Sequence, residues 1–421
     1  VTLTTLHITN AWHPSSGGVK TFYGALLDAA NEEGRRLILV VPSDRASVEP
    51  VGRFGRIHFL AAPAAPAFDS RYRILYPHTY LPPFAGALHR VLADERPDVV
   101  EICDKYTLPY LAMVVRKGYL RGVPRPALVG LTAERFDDNM AAYLHDGRTA
   151  QRFTQWYLRQ IYGPPFDLHL ANSEYTASEL RAALHDRPAG FIRVCPPGVS
   201  AEDFSPELRS ADLRASLLRS MGGTPASTLL LYAGRLSPEK NLPLLTDTLA
   251  HLTDRGGDFR LVIAGDGPDT ARLRSLATGA LAGRILLCGS QPRKALAALY
   301  ASADVFVHPN PREPFGIAPL EAMASGVPVV VPSAGGVLTY AHPGNAWVAE
   351  PDPAAFASAI RSAARGNPRR IQAALATVRQ FSWAHAARRH FEAYDAAWAA
   401  ISGRNPHLTA TSPHGNAPSL V

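Results

Sequence analysis

Short apolar runs alternate with longer amphipathic stretches along most of the chain. LTTLHITNAW predicts a strand running into a turn, and SSGGVKTFYGALLDAANEEG predicts a glycine-rich loop feeding an amphipathic helix that ends at Gly34. RRLILVVPSD, DVVEICD, PALVGLTA and LHLANSE predict further strands, with helical patterns such as TASELRAAL between them. CPPGVSAEDFSP, residues 195–206, breaks the rhythm with prolines and glycine and reads as a linker. Beyond it the alternation restarts with STLLLYAGR, FRLVIAGDG, RILLCGS, ADVFVHP, VPVVVPS and GNAWVAEP. Strands alternating with helices predict mostly parallel sheets covered on both faces, with ligand sites beyond the carboxyl ends of the strands. DPAAFASAIRSAARG and WAHAARRHFEAYDAAWAAI predict two late helices, the second anchored by Trp383, Phe391, Tyr394 and Trp398. The tail after Gly403 has too little apolar content to pack and is expected to be disordered.

At 421 residues the chain exceeds the usual limit of one core, so two domains are expected. An apolar fraction of 47% with 19% charged residues excludes a mainly disordered chain. No apolar run has the length of a membrane span, and VTLTTLHITN carries no leader pattern, so a cytoplasmic location is expected. The net charge of +7 suits anionic small molecules or a membrane surface, but no Lys/Arg block of the nucleic-acid-binding kind occurs. Cys103, Cys195 and Cys288 lie in or beside apolar runs and are expected to be buried thiols.

The candidate chemistry lies mostly in the second half. In LLLYAGRLSPEKNLPLL a strand ends at a glycine and presents Arg235 and Lys240, two cations that can flank a diphosphate; an arginine at such a place is also commonly a solvated loop residue. In FGIAPLEAMASG, Gly316, Ile317 and Ala318 open a helix whose free N–H groups suit a phosphate. Glu321, read as near that helix's start, can accept two hydrogen bonds from vicinal hydroxyls, and Glu313 can serve a second set. The same two residues also fit a favourable first-turn acid and a surface charge. Gly265 and Gly267, Gly17 and Gly18, and Gly335 and Gly336 mark three more turns after strands, none with the full dinucleotide fingerprint. No G-x-x-x-x-G-K-[ST] loop occurs.

Taken together, GGV near the start, NSEYTASEL, CPPGV, GRLSPEKN, AGDGPD and EPFGIAPLEAMASGVPVV resemble the retaining glycosyltransferase family 4 (glycosyl transferases group 1), over about residues 8–400. The resemblance implies an α/β protein of GT-B fold, with two Rossmann-like domains facing across a cleft. The implied divisions are 1–200 for acceptor binding, 201–380 for the nucleotide sugar, 381–402 for a helix crossing back, and 403–421 for the tail. It implies Arg235 and Lys240 at the donor diphosphate, Glu321 at the ribose and Glu313 at the sugar hydroxyls and reacting ring. Gly18, Gly265, Phe315, Gly316, Ile317 and Ala318 would line the donor, with Cys288, Gly289 and Ser290 near the base. The donor would be a GDP- or UDP-linked sugar, used without cofactor or divalent metal.

The sequence departs from the family where many members have a histidine after a first-domain strand; PALVGLTAERFDDN places Thr132, Ala133 and Glu134 there. His13 and His78 lie elsewhere and read as loop or cleft residues. Acceptor handling would then fall to Glu134, Asp137 or Asp138, or the acceptor would itself be strongly nucleophilic, such as a thiol. RYRILYPHTYLPPF and FTQWYLRQIYGPPF offer aromatics, Tyr80 and Trp156 among them, that fit either an acceptor pocket or a core. The first domain shows no evident basic amphipathic helix for lipid docking, so membrane contact is not expected. These readings favour a small-molecule glycosyltransferase of specialised metabolism, such as antibiotic biosynthesis. A narrower resemblance is to lincosamide-pathway enzymes that join a GDP-linked sugar to a thiol. The alternatives are a glycolipid mannosyltransferase and a non-catalytic sugar-nucleotide-binding scaffold.

Overall fold

The structure is a computed structural model that describes residues 3–12, 17–65, 72–81, 86–144, 147–188 and 190–403, excluding the side chains of 141–144 and 147. His13, Phe84 and the tail beyond Gly403 lie outside the described residues. The chain divides into two compact units. Unit 1 comprises Val1–Asn172, Ala177–Cys195 and the chain from Ala387 onward, and unit 2 comprises Ser173–Thr176 and Pro196–Ala386.

Unit 1 is built on eight strands: β1 (Thr4–Thr9), β2 (Arg36–Ser43), β3 (Ser47–Val51), β4 (Gly55–Ala61), β5 (Val99–Cys103), β6 (Ala127–Thr132), β7 (Leu168–Ala171) and β8 (Ile192–Val194). Their order is β3-β4-β2-β1-β5-β6-β7-β8, parallel throughout except for the β3–β4 pair. Strands covered on both faces have no polar side, which is why β2 and β6 read as largely apolar runs, and β5 does so apart from Glu101. The β3–β4 hairpin is less regular. β3 is exposed along its length and contains Pro50, as edge strands do, while β4 carries Arg56 and His58, both paired with the buried Glu95.

Gly17 and Gly18 open the helix Gly17–Glu32 itself rather than a loop before it, and Gly34 leaves that helix at φ 69°. The helix Trp383–Ser402 continues into unit 1, where Phe391 and Tyr394 are buried as expected; Trp383 and Trp398 are only partly so. The Tyr394 hydroxyl donates to Glu101, a fully buried carboxylate that also meets His7 Nδ1 at 3.0 Å and the Tyr23 hydroxyl at 2.9 Å. Burial acts to raise the Glu101 pKa, yet His7 and the donated hydrogen bonds outweigh it and hold the group ionised.

Unit 2 has six parallel strands: β9 (Thr228–Ala233), β10 (Phe259–Ala264), β11 (Ile285–Gly289), β12 (Val305–Val307), β13 (Val329–Pro332) and β14 (Trp347–Ala349), in the order β11-β10-β9-β12-β13-β14. The chain steps outward from β9 to β11 and then returns to the other side of β9. The strand order therefore reverses between β9 and β12, the place where doubly wound sheets open a crevice at their carboxyl end.

Two expectations are corrected here. Cys103 and Cys195 are buried, but Cys288 is only half-buried. The helix Gly147–Tyr157 in unit 1 is basic and amphipathic, contrary to the expectation that unit 1 has none: Arg148, Arg152, Phe153 and Trp156 are exposed, while Ala150, Thr154 and Tyr157 face inward.

Candidate active site

The carboxyl ends of β9, β10 and β11 are tied together by glycine turns. Gly234 N–H donates to Ala264 O at 3.0 Å, and Gly265 N–H to Gly289 O at 2.8 Å. A Cβ on Gly265 would sit 1.9 Å from Gly234 O, so only glycine lets the two turns approach. Cys288, Gly289 and Ser290 lie at the end of β11 on the same side of the sheet, and Arg235 stands exposed two residues past β9.

At the reversal of strand order, a cation and a carboxylate meet. After Arg235 the chain makes a 3-10 turn, Pro238–Lys240, and Asn241 enters the left-handed region at φ 52° before the helix Leu242–Asp254 begins. That turn aims Lys240 Nζ at Glu313, beyond β12, with 2.9 Å to Oε2 and 3.2 Å to Oε1. Asn310 Nδ2 donates to Glu313 Oε2 at 3.1 Å, and His308 Nε2 lies 3.7 Å from the same oxygen. Burial acts to raise the Glu313 pKa, but Lys240, His308 and Asn310 overcome it and hold the group at about 2. His308, desolvated by its burial, is pushed down to about 4. Around neutral pH the site thus holds one fixed carboxylate, one ammonium and one neutral imidazole. Lys240 spends two hydrogen-bond donors on Glu313, and an ammonium has three.

The Glu313 loop rests on the glycine pair that follows β13. Gly336 N–H donates to Glu313 O at 2.6 Å, and a Cβ on Gly336 would lie 1.9 Å from Pro314 O. The loop then turns at Gly316, φ 83°, into the helix Ile317–Ala324, and the Tyr340 hydroxyl donates to Gly316 O. Glu321 is the fifth residue of that helix, so it is not the first-turn acid the sequence offered as its plain explanation. One carboxylate oxygen accepts from the Tyr300 hydroxyl at 2.9 Å, and burial raises its pKa. Phe315 is a core residue: its ring packs edge-on against Tyr340 at 5.2 Å, which leaves only its backbone for a ligand.

Sequence reasoning thus named the pair brought together, Lys240 and Glu313, but missed His308, Asn310, Tyr300 and Tyr340. His308 and Asn310 were visible as the first polar residues after an apolar strand, in ADVFVHPNPRE. The two tyrosines left no such signal.

The remaining candidates lie in unit 1. Gly18 is exposed in the first turn of its helix. Glu134 follows β6, beside Tyr106, Asn139 and Lys105; Lys105 Nζ donates to its backbone oxygen at 2.6 Å and pairs with the buried Glu179 at 2.8 Å. Burial raises the Glu134 pKa against the pull of Lys105. Asp137 is held bidentately by Arg135, at 2.8 and 2.5 Å, and Asp138 lies 3.8 Å from the same guanidinium. Tyr80 is wholly buried, its hydroxyl donating to Thr107 O, so it belongs to the core and not to a pocket wall. Trp156 is 54% exposed. His78 stacks on Tyr76. Among the described residues no cluster of three or more His, Cys, Asp or Glu is arranged to hold a metal.

A crevice at a strand reversal, glycine turns at its rim and a cation beside a fixed carboxylate define a site for an anionic, hydroxyl-rich ligand. Known proteins supply the class. Residues 223–376 match the family described as glycosyl transferases group 1, and residues 16–203 match glycosyltransferase family 4. The chain is 32% identical over 387 residues to a GDP-mannose-dependent alpha-(1-6)-phosphatidylinositol dimannoside mannosyltransferase of Mycobacterium tuberculosis, covering 91% of this chain and 93% of that one. A GDP-mannose-dependent alpha-mannosyltransferase of Mycolicibacterium smegmatis is 30% identical over 332 residues, 78% of this chain and 79% of its own. In fold the chain is similar to sucrose-phosphate synthase from Thermosynechococcus elongatus, with a TM-score of 0.74 at 20% identity over 94% of this chain and 100% of that one. It is similar too to the catalytic domain of starch synthase IV from Arabidopsis thaliana bound to ADP and acarbose, with a TM-score of 0.70 at 16% identity over 95% and 100%. The protein is an enzyme of GT-B fold that transfers a sugar from a nucleotide-diphosphate sugar. It belongs to glycosyltransferase family 4.

Proposed function

We propose that the protein is a retaining, GDP-mannose-dependent α-mannosyltransferase whose acceptor is a lipid-linked, inositol-containing glycoside. The observation that carries this reading is the similarity to the M. tuberculosis mannosyltransferase over nearly the whole of both chains. Two relatives matched over most of their length use GDP-mannose, which favours the glycolipid alternative over a small-molecule or thiol acceptor.

In this reading the third donor of Lys240, with Arg235, takes the departing diphosphate, and the N–H groups at the start of the helix Ile317–Ala324 add their dipole. Glu313, fixed as a carboxylate, accepts from mannose hydroxyls and opposes the positive charge that grows at the anomeric carbon as the diphosphate leaves. Glu321 accepts from the ribose hydroxyls with the oxygen that Tyr300 does not occupy. The turn Cys288–Ser290 and Gly265 face the base. Glu134 binds acceptor hydroxyls, since Arg135 already engages both Asp137 and Asp138.

The test is transfer from GDP-mannose or UDP-glucose to a phosphatidylinositol mannoside in detergent, or to soluble polyols and thiols, with products read by mass. One hexose added to the lipid from GDP-mannose is expected, and Glu134→Gln should raise the acceptor KM while leaving GDP affinity as it was. Transfer from UDP-glucose alone, or to soluble acceptors alone, would overturn the reading.

A further inference from the structure

The helix Gly147–Tyr157 presents a face that no part of the chemistry above uses. Ala150, Thr154 and Tyr157 pack inward, and Arg148, Arg152, Phe153, Trp156 and Arg159 face solvent. At about 100° per residue, Arg148 and Arg152 lie about 40° apart on the helix, with Trp156 about 40° and Phe153 about 100° further round the same exposed side, and Arg159 follows on the π-helical turn Leu158–Tyr162. Trp156 is 54% and Phe153 40% exposed, large apolar groups three residues apart on one surface. The segment 147–162 contains three arginines and no acid. Arg159 pairs with Asp186 at 3.1 Å, but both groups are exposed, so the pair binds weakly.

The aromatic strip does not stop at the helix. Trp156 lies 6.0 Å from Phe153, Phe153 lies 6.3 Å from Phe136, and Phe136 lies 5.4 Å from Tyr106. Tyr106 is 36% exposed, and its hydroxyl accepts from Asn139 Nδ2 at 2.8 Å beside Glu134. An aromatic track, exposed at Trp156, Phe153 and Tyr106 and resting on the buried Phe136, thus leads from an arginine stripe to the carboxyl group proposed to hold acceptor hydroxyls.

We propose that this face, Arg148, Arg152, Phe153 and Trp156, docks the enzyme on an anionic phospholipid bilayer, with the aromatic rings at the headgroup boundary and the track toward Glu134 taking up the headgroup of the acceptor. Tryptophan beside arginine is the side-chain pairing that suits the membrane interface. The occupant is a bilayer rather than a second copy of the chain, because a twofold contact through this stripe would set arginines against arginines. The inference rests on the lipid-linked acceptor proposed above.

The experiment is co-sedimentation of the full protein with vesicles of phosphatidylcholine, or of equal parts phosphatidylcholine and phosphatidylglycerol, at low and high salt. Transfer to detergent-dispersed acceptor is measured in parallel, and GDP binding reports that each variant is folded. Binding is expected only to the anionic vesicles, with sharp weakening in high salt. The pair R148Q/R152Q should weaken it about 25-fold, at about fivefold for each arginine, and Phe153→Ala with Trp156→Ala should abolish it. Failure of the wild type to bind anionic vesicles, equal binding by the variants, or a dimer that Trp156→Ala converts to monomer would each overturn the docking face. Transfer to dispersed lipid without vesicle binding would overturn docking alone; vesicle binding that the variants lose, with no transfer to lipid, would support docking and overturn the acceptor reading.

Discussion

Both units reverse their strand order once, and different residues fill the two reversals. In unit 1 the order turns between β1 and β5, where Asn10 Nδ2 donates to Asp104 Oδ2 at 3.0 Å. The other oxygen of Asp104 accepts from the N–H groups of Tyr106, Thr107 and Leu108, and Asn10 Oδ1 accepts from Leu75 N–H. Those hydrogen bonds fasten loops. In unit 2 the order turns between β9 and β12, where Lys240 and Glu313 pair and retain hydrogen-bonding capacity after doing so. Equivalent places in two doubly wound sheets therefore serve different ends: a closed hydrogen-bond set scaffolds, and an open charged set binds.

The contrast can be broken by substitution. The largest effect should follow Glu313→Gln, which keeps the shape and removes the charge opposing the developing cation: kcat should fall about a thousandfold, or about 4 kcal/mol, in initial-rate assays. Survival of most activity would mean that the carboxylate is a scaffold after all.

Next comes Glu101→Ala in unit 1. It strands His7, Tyr23 and Tyr394 around a buried gap and should lower stability by about 3 kcal/mol in denaturant melts, with GDP affinity of the folded protein unchanged. A comparable effect should attend acid. The Glu313 pKa of about 2, against an ordinary 4.5, corresponds to about 3 kcal/mol of stability. A depressed carboxylate contributes that stability above its unfolded pKa and loses it as pH falls toward 2. Lys240→Ala should therefore move the acid-unfolding midpoint upward, as read by circular dichroism across the range from pH 5 downward. The smallest change is expected for Asp104→Ala, about 1 kcal/mol of stability from lost loop hydrogen bonds, with nucleotide binding intact.

The same difference governs what the sequence could reveal. Strands buried on both faces, such as β2, β6 and β10, announce themselves as apolar runs bounded by glycine or proline: Pro42 closes β2, Pro126 precedes β6 and Gly265 follows β10. The β3–β4 hairpin did not, because an exposed edge strand with Glu49 and Pro50 has no apolar period, and Arg56 and His58 of β4 are committed to Glu95 across the fold. Lys240 and Glu313, 73 residues apart, were legible through the family resemblance of GRLSPEKN and EPFGIAPLE, yet their direct contact was not. Nothing local in SPEK says that a 3-10 turn will aim the lysine across β12. The basic face of the helix Gly147–Tyr157 was obscured for another reason: its aromatics fit a pocket or a core equally in the sequence, and only the packing of Ala150 and Thr154 shows which side is outward.

The most direct test of the central claim is calorimetric titration with GDP and UDP of the wild type, Arg235→Ala, Lys240→Ala and Asp104→Ala. Preferential GDP binding is expected, weakened about tenfold or more by loss of either cation and unmoved by loss of Asp104. Nucleotide affinity that ignores Arg235 and Lys240, or falls only with Asp104, would contradict that claim.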